Sequence, residues 1–350
     1  MTGPRYLTLV SVVFALGVVA SAEGEPRQTL LPTGECDSLY WDLTGRFESG
    51  DRLYARVLVT NEGPGRHTAA ASGHWLAPDG GTTPFQNGRR RGRWEPSAGG
   101  RRIRIGSTLL DRSGDALHFE VDNDKRGVKL FLDVAVLAAD ELPVRDPPYA
   151  VVLERLAADA TGSAWRRGME SPQPLRGWLS VVRTRSLGCE SDLARRRIEL
   201  HQLGAADAGY LAHTTGPSGE RWAFLATRNA EARIEATSAI AVSLAFGPGP
   251  QGAYPVPVSL AWVGAAEGEI ELESPHLAVN PLAALPRLMQ MLYSFRARPH
   301  RIWTDARVAI RLKAGSGRAV PSIGTPTLAT ITYLDPPGAI DVSPPPDSGG

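Results

Sequence analysis

The sequence predicts an all-β protein, built as two packed antiparallel β-barrels or sandwiches with one short helix in the second half. Three observations predict it. Apolar and polar residues alternate with period two in one run after another. Gly (37) and Pro (28) together make up nearly a fifth of the 350 residues, and they sit in short clusters between those runs, as turns do. At roughly 150 residues per domain, the length itself argues for two units. With 42% hydrophobic and 21% charged residues, the chain has enough apolar material for packed cores, which excludes disorder over most of its length.

The N-terminus, Met1-Thr-Gly-Pro-Arg5, leads into an apolar run from Tyr6 to Ala20 and then Ala20-Ser-Ala22. One basic residue, a short apolar stretch and an A-x-A site describe a signal peptide over 1–22, cut after Ala22. A spanning helix needs about 20 apolar residues, and Glu23-Gly-Glu-Pro26 ends the run too early. No Cys follows the cut, so lipid anchoring there lacks its acylation residue. An exported chain, periplasmic or secreted and without a membrane segment, is expected.

The first barrel is expected over 37–142. Leu53, Ala55, Val57 and Val59 alternate with Tyr54, Arg56, Leu58 and Thr60, the pattern of a strand with one buried face. Asn61-Glu-Gly-Pro-Gly65 breaks it. His67 to Ala77 carries Ala69, Ala71, Gly73 and Trp75 on one face and ends in the turn Pro78-Asp-Gly-Gly81. Further strands follow at Ile103–Leu109, Leu117–Val121 and Leu130–Val136, joined by hairpin-like Asp111-Arg-Ser-Gly114 and Asn123-Asp-Lys-Arg-Gly127. The Pro-rich stretch Asp140 to Pro148 reads as a linker between domains.

A second barrel is expected over 149–334. Its strand-like runs are Ala150–Leu156, Leu175–Thr184, Arg195–Leu203, Arg221–Thr227, Ile234–Phe246, Val256–Val263, Ile270–Glu273, Trp303–Leu312 and Thr327–Leu334. One segment differs: between Pro286 and Phe295, apolar Leu285, Leu288, Met289 and Leu292 follow helical spacing, with Pro286 suited to the first turn. Residues 335–350 form a Pro/Gly/Ser tail with nothing to bury, expected to be disordered.

Outside the cytoplasm thiols oxidise, so the two cysteines, Cys36 and Cys189, are expected to form one disulfide, two buried thiols being the alternative. Lys+Arg 38 against Asp+Glu 37 gives a formal +1, and so no global attraction for nucleic acid. The basic clusters Arg89–Arg93 and Arg195–Arg197 read as solvated strand or turn faces. Gly247-Pro-Gly-Pro-Gln-Gly252 has glycine-rich spacing, but no helix pattern follows to present its N-terminus to a phosphate. His74, His118 and His201 lie in strands without a second ligand at metal spacing, so neither a metal nor a cofactor is expected. Tyr54, Trp75, Trp178, Tyr210, Trp222 and Trp262 lie in or beside strands. They are candidates for lining a ligand pocket, with core filling as the bland alternative for each.

Tyr54-Ala-Arg-Val-Leu-Val-Thr-Asn-Glu-Gly-Pro-Gly65 and Gly73-His-Trp-Leu-Ala-Pro-Asp-Gly80 resemble the lipocalin-like tandem-barrel (calycin) family of carotenoid 1,2-hydratase (hydroxyneurosporene synthase), the AttH-like proteins and fungal pericyclase relatives. Arg89–Trp94, Arg101–Leu109 and Leu175–Leu179 fit the same pattern, and the resemblance spans residues 40 to 334. It implies two lipocalin-like barrels and a hydrophobic small-molecule partner such as a polyene, prenyl chain or lipid. In the hydratases a G-Y-x-D-H-like stretch carries the carboxylate that would protonate an alkene. Here Gly209-Tyr210-Leu211-Ala212-His213 is the best match, and the alternative alignment at Gly177-Trp178 offers Ser180. Neither Ala212 nor Ser180 can protonate an alkene, which leaves Tyr210 and His213 as candidate catalytic residues for orienting a substrate. Three readings follow: an exported protein that binds or carries a hydrophobic small molecule, a hydratase, isomerase or cyclase acting on a carotenoid or terpenoid, and a surface or carbohydrate-binding β-sandwich module.

Overall fold

The computed structural model describes residues 31–334, apart from 63–66, 90–92, 97–99, 114–115, 136–141, 147–148, 205–207, 229–233, 248–253, 265, 274, 282–286, 288–290, 292–298 and 313–325. The expected signal peptide and the Pro/Gly tail lie outside the described residues, as do Gly252 and most of the loop it closes.

The chain is all-β in two curled antiparallel sheets. The first contains β1 (Ser38–Phe47), β2 (Arg52–Thr60), β3 (Thr68–Leu76), β4 (Thr82–Arg89), β5 (Glu95–Pro96), β6 (Arg102–Ile105), β7 (Thr108–Asp111), β8 (Ala116–Asn123), β9 (Val128–Ala135), β10 (Leu142–Asp146), β11 (Tyr149–Arg166) and β12 (Gln173–Ser186). Its strands run in the order β4-β3-β2-β1-β12-β11-β9-β8-β7-β6-β5, with β10 added against β11. The sheet curls until β4 meets β7 and β8: Asn87 donates to Ser107 and Thr108, and the Phe85 and Phe119 rings lie 6.4 Å apart. The β3–β4 hairpin turns on Pro78–Gly81 as expected, with Gly80 at φ 83° and its N–H donating to Ala77 O at 3.0 Å.

After a short helix, α1 (Glu190–Leu193), comes the second sheet. It holds β13 (Arg196–Gln202), β14 (Gly209–Thr215), β15 (Arg221–Arg228), β16 (Ile234–Gly247), β17 (Val256–Gly264), β18 (Ala266–Leu272), β19 (Leu277–Val279), β20 (His300–Leu312) and β21 (Thr327–Tyr333). The order is β18-β17-β16-β15-β14-β13-β21-β20-β19, and β18 also pairs with β20, so this sheet closes into a barrel without free edges along that ring. The long β20 does both jobs: His300–Ala306 pairs with β21 and Ala306–Leu312 with β18.

Two expectations need correction. The second sheet begins after Ser186, not at residue 149, because the 18-residue β11 and the 14-residue β12 insert between β9 and β1 and complete the first sheet. Within the expected linker, Leu142–Asp146 pairs with β11; the rest of it lies outside the described residues. The described helix is α1, at the passage between the sheets. Of the expected helix at 286–295, only Arg287 and Met291 are described, both in helical backbone. Among the described residues no helix is long and apolar enough to cross a membrane.

Cys36 and Cys189 are joined in a disulfide. Ser38 pairs with Ser186 across β1 and β12, so the bond closes the end of that ladder where the chain passes to the second barrel.

Three cores result. One face of each strand points inward, giving a first interior built on Trp41, Leu53, Ile105, Phe119, Leu130 and Val181, and a second on Ile198, Leu211, Leu260, Trp262, Ile331 and Tyr333. The third lies between the barrels, where outer faces meet through Tyr54, Tyr149, Leu153, Tyr210, Phe224 and Trp303. Strands at this junction are therefore buried on both faces, as every residue of β13 and β14 shows. Each large side chain so removed from water contributes about 1.5–3 kcal/mol.

Candidate functional site

Directly paired residues of an antiparallel ladder share a face, so the registers define what each barrel turns towards the other. On the first barrel one row reads Thr44, Tyr54, His74, Pro84 across β1 to β4, and the next reads Asp42, Arg56, Ser72, Gln86. On the second barrel, rows across β13, β21 and β20 read Arg197, Thr332, Arg301, then Glu199, Thr330, Trp303, then His201, Leu328, Asp305. Where these faces separate they leave a half-open cavity of about 630 Å³. Gly73 lines it and must be glycine: a Cβ there would lie 2.3 Å from the Phe85 ring and 2.6 Å from Tyr54 O.

Aromatic contacts and one ion pair hold the two faces together. The Trp303 ring packs 5.1 Å from Tyr54 and 5.4 Å from His74, the Tyr54 hydroxyl is hydrogen-bonded with His276 Nε2 at 3.0 Å, and Arg52 pairs with Asp305 at 2.7 Å. The charged floor is organised in pairs. Arg56 donates from Nε and Nη2 to the two oxygens of Asp42, at 2.5 and 2.7 Å, with its guanidinium over the Tyr40 ring. Glu199 accepts from the Tyr210 hydroxyl at 2.6 Å and pairs with Arg197 at 3.3 Å. Burial alone would raise the Glu199 carboxyl, but Arg197, Arg56 and the Tyr210 hydrogen bond outweigh it and hold the group well below the usual carboxylate range.

Two imidazoles line the same cavity. Burial pushes His201 down to about 4 against the opposing pull of Glu199 and Asp42, and burial together with repulsion from Arg301 pushes His74 to about 4. Both are uncharged at neutral pH, and Nδ1 of each is buried without a hydrogen-bond partner among the described residues.

Of the sequence-proposed residues, Tyr54 lines the cavity. Tyr210 lies behind it, wholly buried, and acts through Glu199. Replacing Tyr210 by Phe removes a hydrogen bond to a buried carboxylate and is expected to cost about 1.5–3 kcal/mol of stability in urea unfolding. A loss below about 0.5 kcal/mol would mean that Glu199 finds another donor. Trp75 packs in the first interior, 5.2 Å from Phe47, and Trp262 in the second. Trp178 is partly buried against the junction core, and the Trp222 side chain is outside the described residues. His213 points into the second barrel rather than the cavity, on the face of Leu211, and burial with repulsion from Arg196 and Arg221 lowers it to about 3. Ser180 accepts the Ala157 N–H at 2.9 Å, fixing the irregular stretch of β11 where Ala157 has φ 45°.

Sequence reasoning missed Glu199, His201 as a cavity residue, Arg56 and Arg301. Ala212, where the resemblance expects an acid, pairs directly with Glu199 across β13 and β14. A carboxylate is thus present on that face, one strand over. The solvated face expected at Arg195–Arg197 is corrected as well: Arg195 is exposed, but Arg196 lies under Phe246 in the second barrel and Arg197 at the junction over Tyr149, 5% and 3% exposed. In the other cluster Arg93 is exposed, and the side chains of 89–92 lie outside the described residues. Among the described residues no group of three or more His, Cys, Asp or Glu side chains is placed to hold a metal ion.

No family model matches the chain, and no curated protein matches it significantly by sequence. Solved structures do match in fold. An AttH-like protein of Nitrosomonas europaea is 14% identical, with 93% of this chain and all of that one covered at a TM-score of 0.63. CghA in complex with Sch210972 is 11% identical, with 86% and 89% covered and a TM-score of 0.56. Kievitone hydratase from Nectria haematococca is 10% identical, with 88% and 94% covered and a TM-score of 0.51. What the chain shares with all three, over nearly its whole described length, is the tandem lipocalin-like barrel fold.

Proposed function

We propose that the cavity between the barrels is the active site of an isomerase or cyclase acting on a small, largely apolar organic molecule. The observation that carries this reading is the meeting, in one cavity of about 630 Å³, of two uncharged imidazoles, His74 and His201, with an aromatic wall of Tyr54 and Trp303. That volume lies within the range of small-molecule sites, and an apolar wall with a few fixed polar groups is their usual composition. The held-down carboxyl of Glu199 stays ionised and accepts hydrogen bonds rather than donating a proton, so orientation and base catalysis fit the site better than protonation of an alkene. Two of the fold neighbours lend support by their names, one a hydratase of kievitone and one solved with Sch210972. The Cys36–Cys189 disulfide supports export to an oxidising compartment.

The test is mass spectrometry of an organic extract from purified protein, beside a Ser72→Trp variant that fills the cavity from β3. A small molecule is expected with the wild type and not with the variant; equal recovery from both would remove the cavity from the reading. With that molecule or its precursor as substrate, His201→Asn is expected to lower kcat by about 100-fold or more. An unchanged kcat would reduce the site to carriage.

A further inference from the structure

Arg301 lines the cavity with a guanidinium that, among the described residues, touches no carboxylate. Both oxygens of Asp42 are occupied by Arg56, and Glu199 is committed to Arg197 and Tyr210. Among the described residues the Arg301 side chain forms neither a hydrogen bond nor an ion pair, and its Nε is buried and unpartnered. It stands on β20 two residues before Trp303, so both side chains emerge on one face, and both line the cavity. Burial pulls its guanidinium down to about 10 and Arg56 repels it, with Asp42 and Glu190 opposing from a distance. Arg126, which also lines the cavity and forms no ion pair among the described residues, is exposed.

A half-buried guanidinium with no carboxylate in contact is held at a cost, and native folds keep such groups where something else completes them. A guanidinium presents a planar fork of donors that matches a carboxylate in two parallel hydrogen bonds, whereas a phosphate dianion would call for more positive charge than one arginine. We propose that the molecule bound between the barrels carries a carboxylate, which docks on Arg301 while its apolar body lies along Trp303 and Tyr54. This inference rests on reading the cavity as a ligand site and adds the chemical class of the ligand.

The probes are 2-naphthoate and 2-naphthamide, equal in shape and differing in charge, titrated calorimetrically into the full chain. The carboxylate is expected to bind about tenfold or more tightly than the amide, with Arg301→Gln bringing the two together and Arg301→Lys keeping part of the preference. Equal binding of both probes to the wild type, or a preference that survives in Arg301→Gln, overturns the role of Arg301 and leaves the cavity reading standing. Failure of both probes to bind at millimolar concentration, or binding unchanged in Ser72→Trp, overturns the cavity reading and this inference with it. Melting supplies a readout independent of any ligand: Arg301→Gln should melt at or above the wild-type temperature. A clear drop would show that the guanidinium is already satisfied by the fold and would overturn the inference.

Discussion

Acidification from pH 6.5 to pH 4 is expected to destabilise the protein by roughly 2–3 kcal/mol per pH unit, through His201 and His213 alone. Both side chains are almost fully buried, at 1% and 0% exposure, and burial is the largest cause of their lowered pKa values, about 4 and about 3. In the unfolded chain each imidazole takes up a proton near 6.5. Between that pH and the folded values the unfolded state therefore binds more protons, and stability falls as pH falls. Above about 6.5 neither group titrates and the stabilisation is fully present. Below the usual carboxylate range Glu199 adds a loss of its own, because its folded form resists protonation. Urea unfolding midpoints measured at half-unit steps check this. The curve for a His201→Gln, His213→Leu double variant should be flatter through the window, and an equally steep curve would remove both residues from the account.

Replacing both Cys36 and Cys189 by Ser is expected to cost about 5 kcal/mol on the chain-entropy model, because the bond closes a loop spanning 153 residues. Measured losses for native disulfides run from about 2 to 5 kcal/mol, and part of the loss here would be local. Glu190, next to Cys189, is an electrostatic neighbour of Arg56 and Arg301, so freeing this end of the β1–β12 ladder also loosens charge balance at the cavity. Urea unfolding of the wild type with and without reductant, beside the double variant, measures the effect. A difference below about 1 kcal/mol would mean that the unfolded chain already keeps those ends together.

Strands with one face in a barrel and one in water were legible from alternation alone: β8 places Leu117, Phe119 and Val121 inside, and β9 does the same with Leu130, Leu132 and Val134. The turn at Pro78–Gly81 and the disulfide were legible too, the first from backbone chemistry and the second from a count of two cysteines. The site was not. On β13, Arg197, Glu199 and His201 alternate with Ile198 and Leu200, which is how a salt-bridged, water-facing strand reads. Nothing in one sequence says that a second barrel covers that face. The same reason hid Asp42 and Arg56, and it misdirected attention to Trp75 and Trp262, which the barrels bury inside. The limit of the first barrel was misread because prolines at 143, 147 and 148 mark a break in strand pairing, and the strands that complete the sheet come after it.

The disulfide has one more consequence, for survival among proteases. Its partners bracket the first barrel from the start of β1 to the end of β12, so a single peptide-bond cleavage anywhere between residues 36 and 189 leaves both fragments in one covalent body. A nicked molecule would run as two pieces on a reducing gel and as one without reductant. While the sheet holds together, such a molecule still presents Asp42, Arg56 and His74 to the second barrel, so cutting the chain and losing the cavity become separate events.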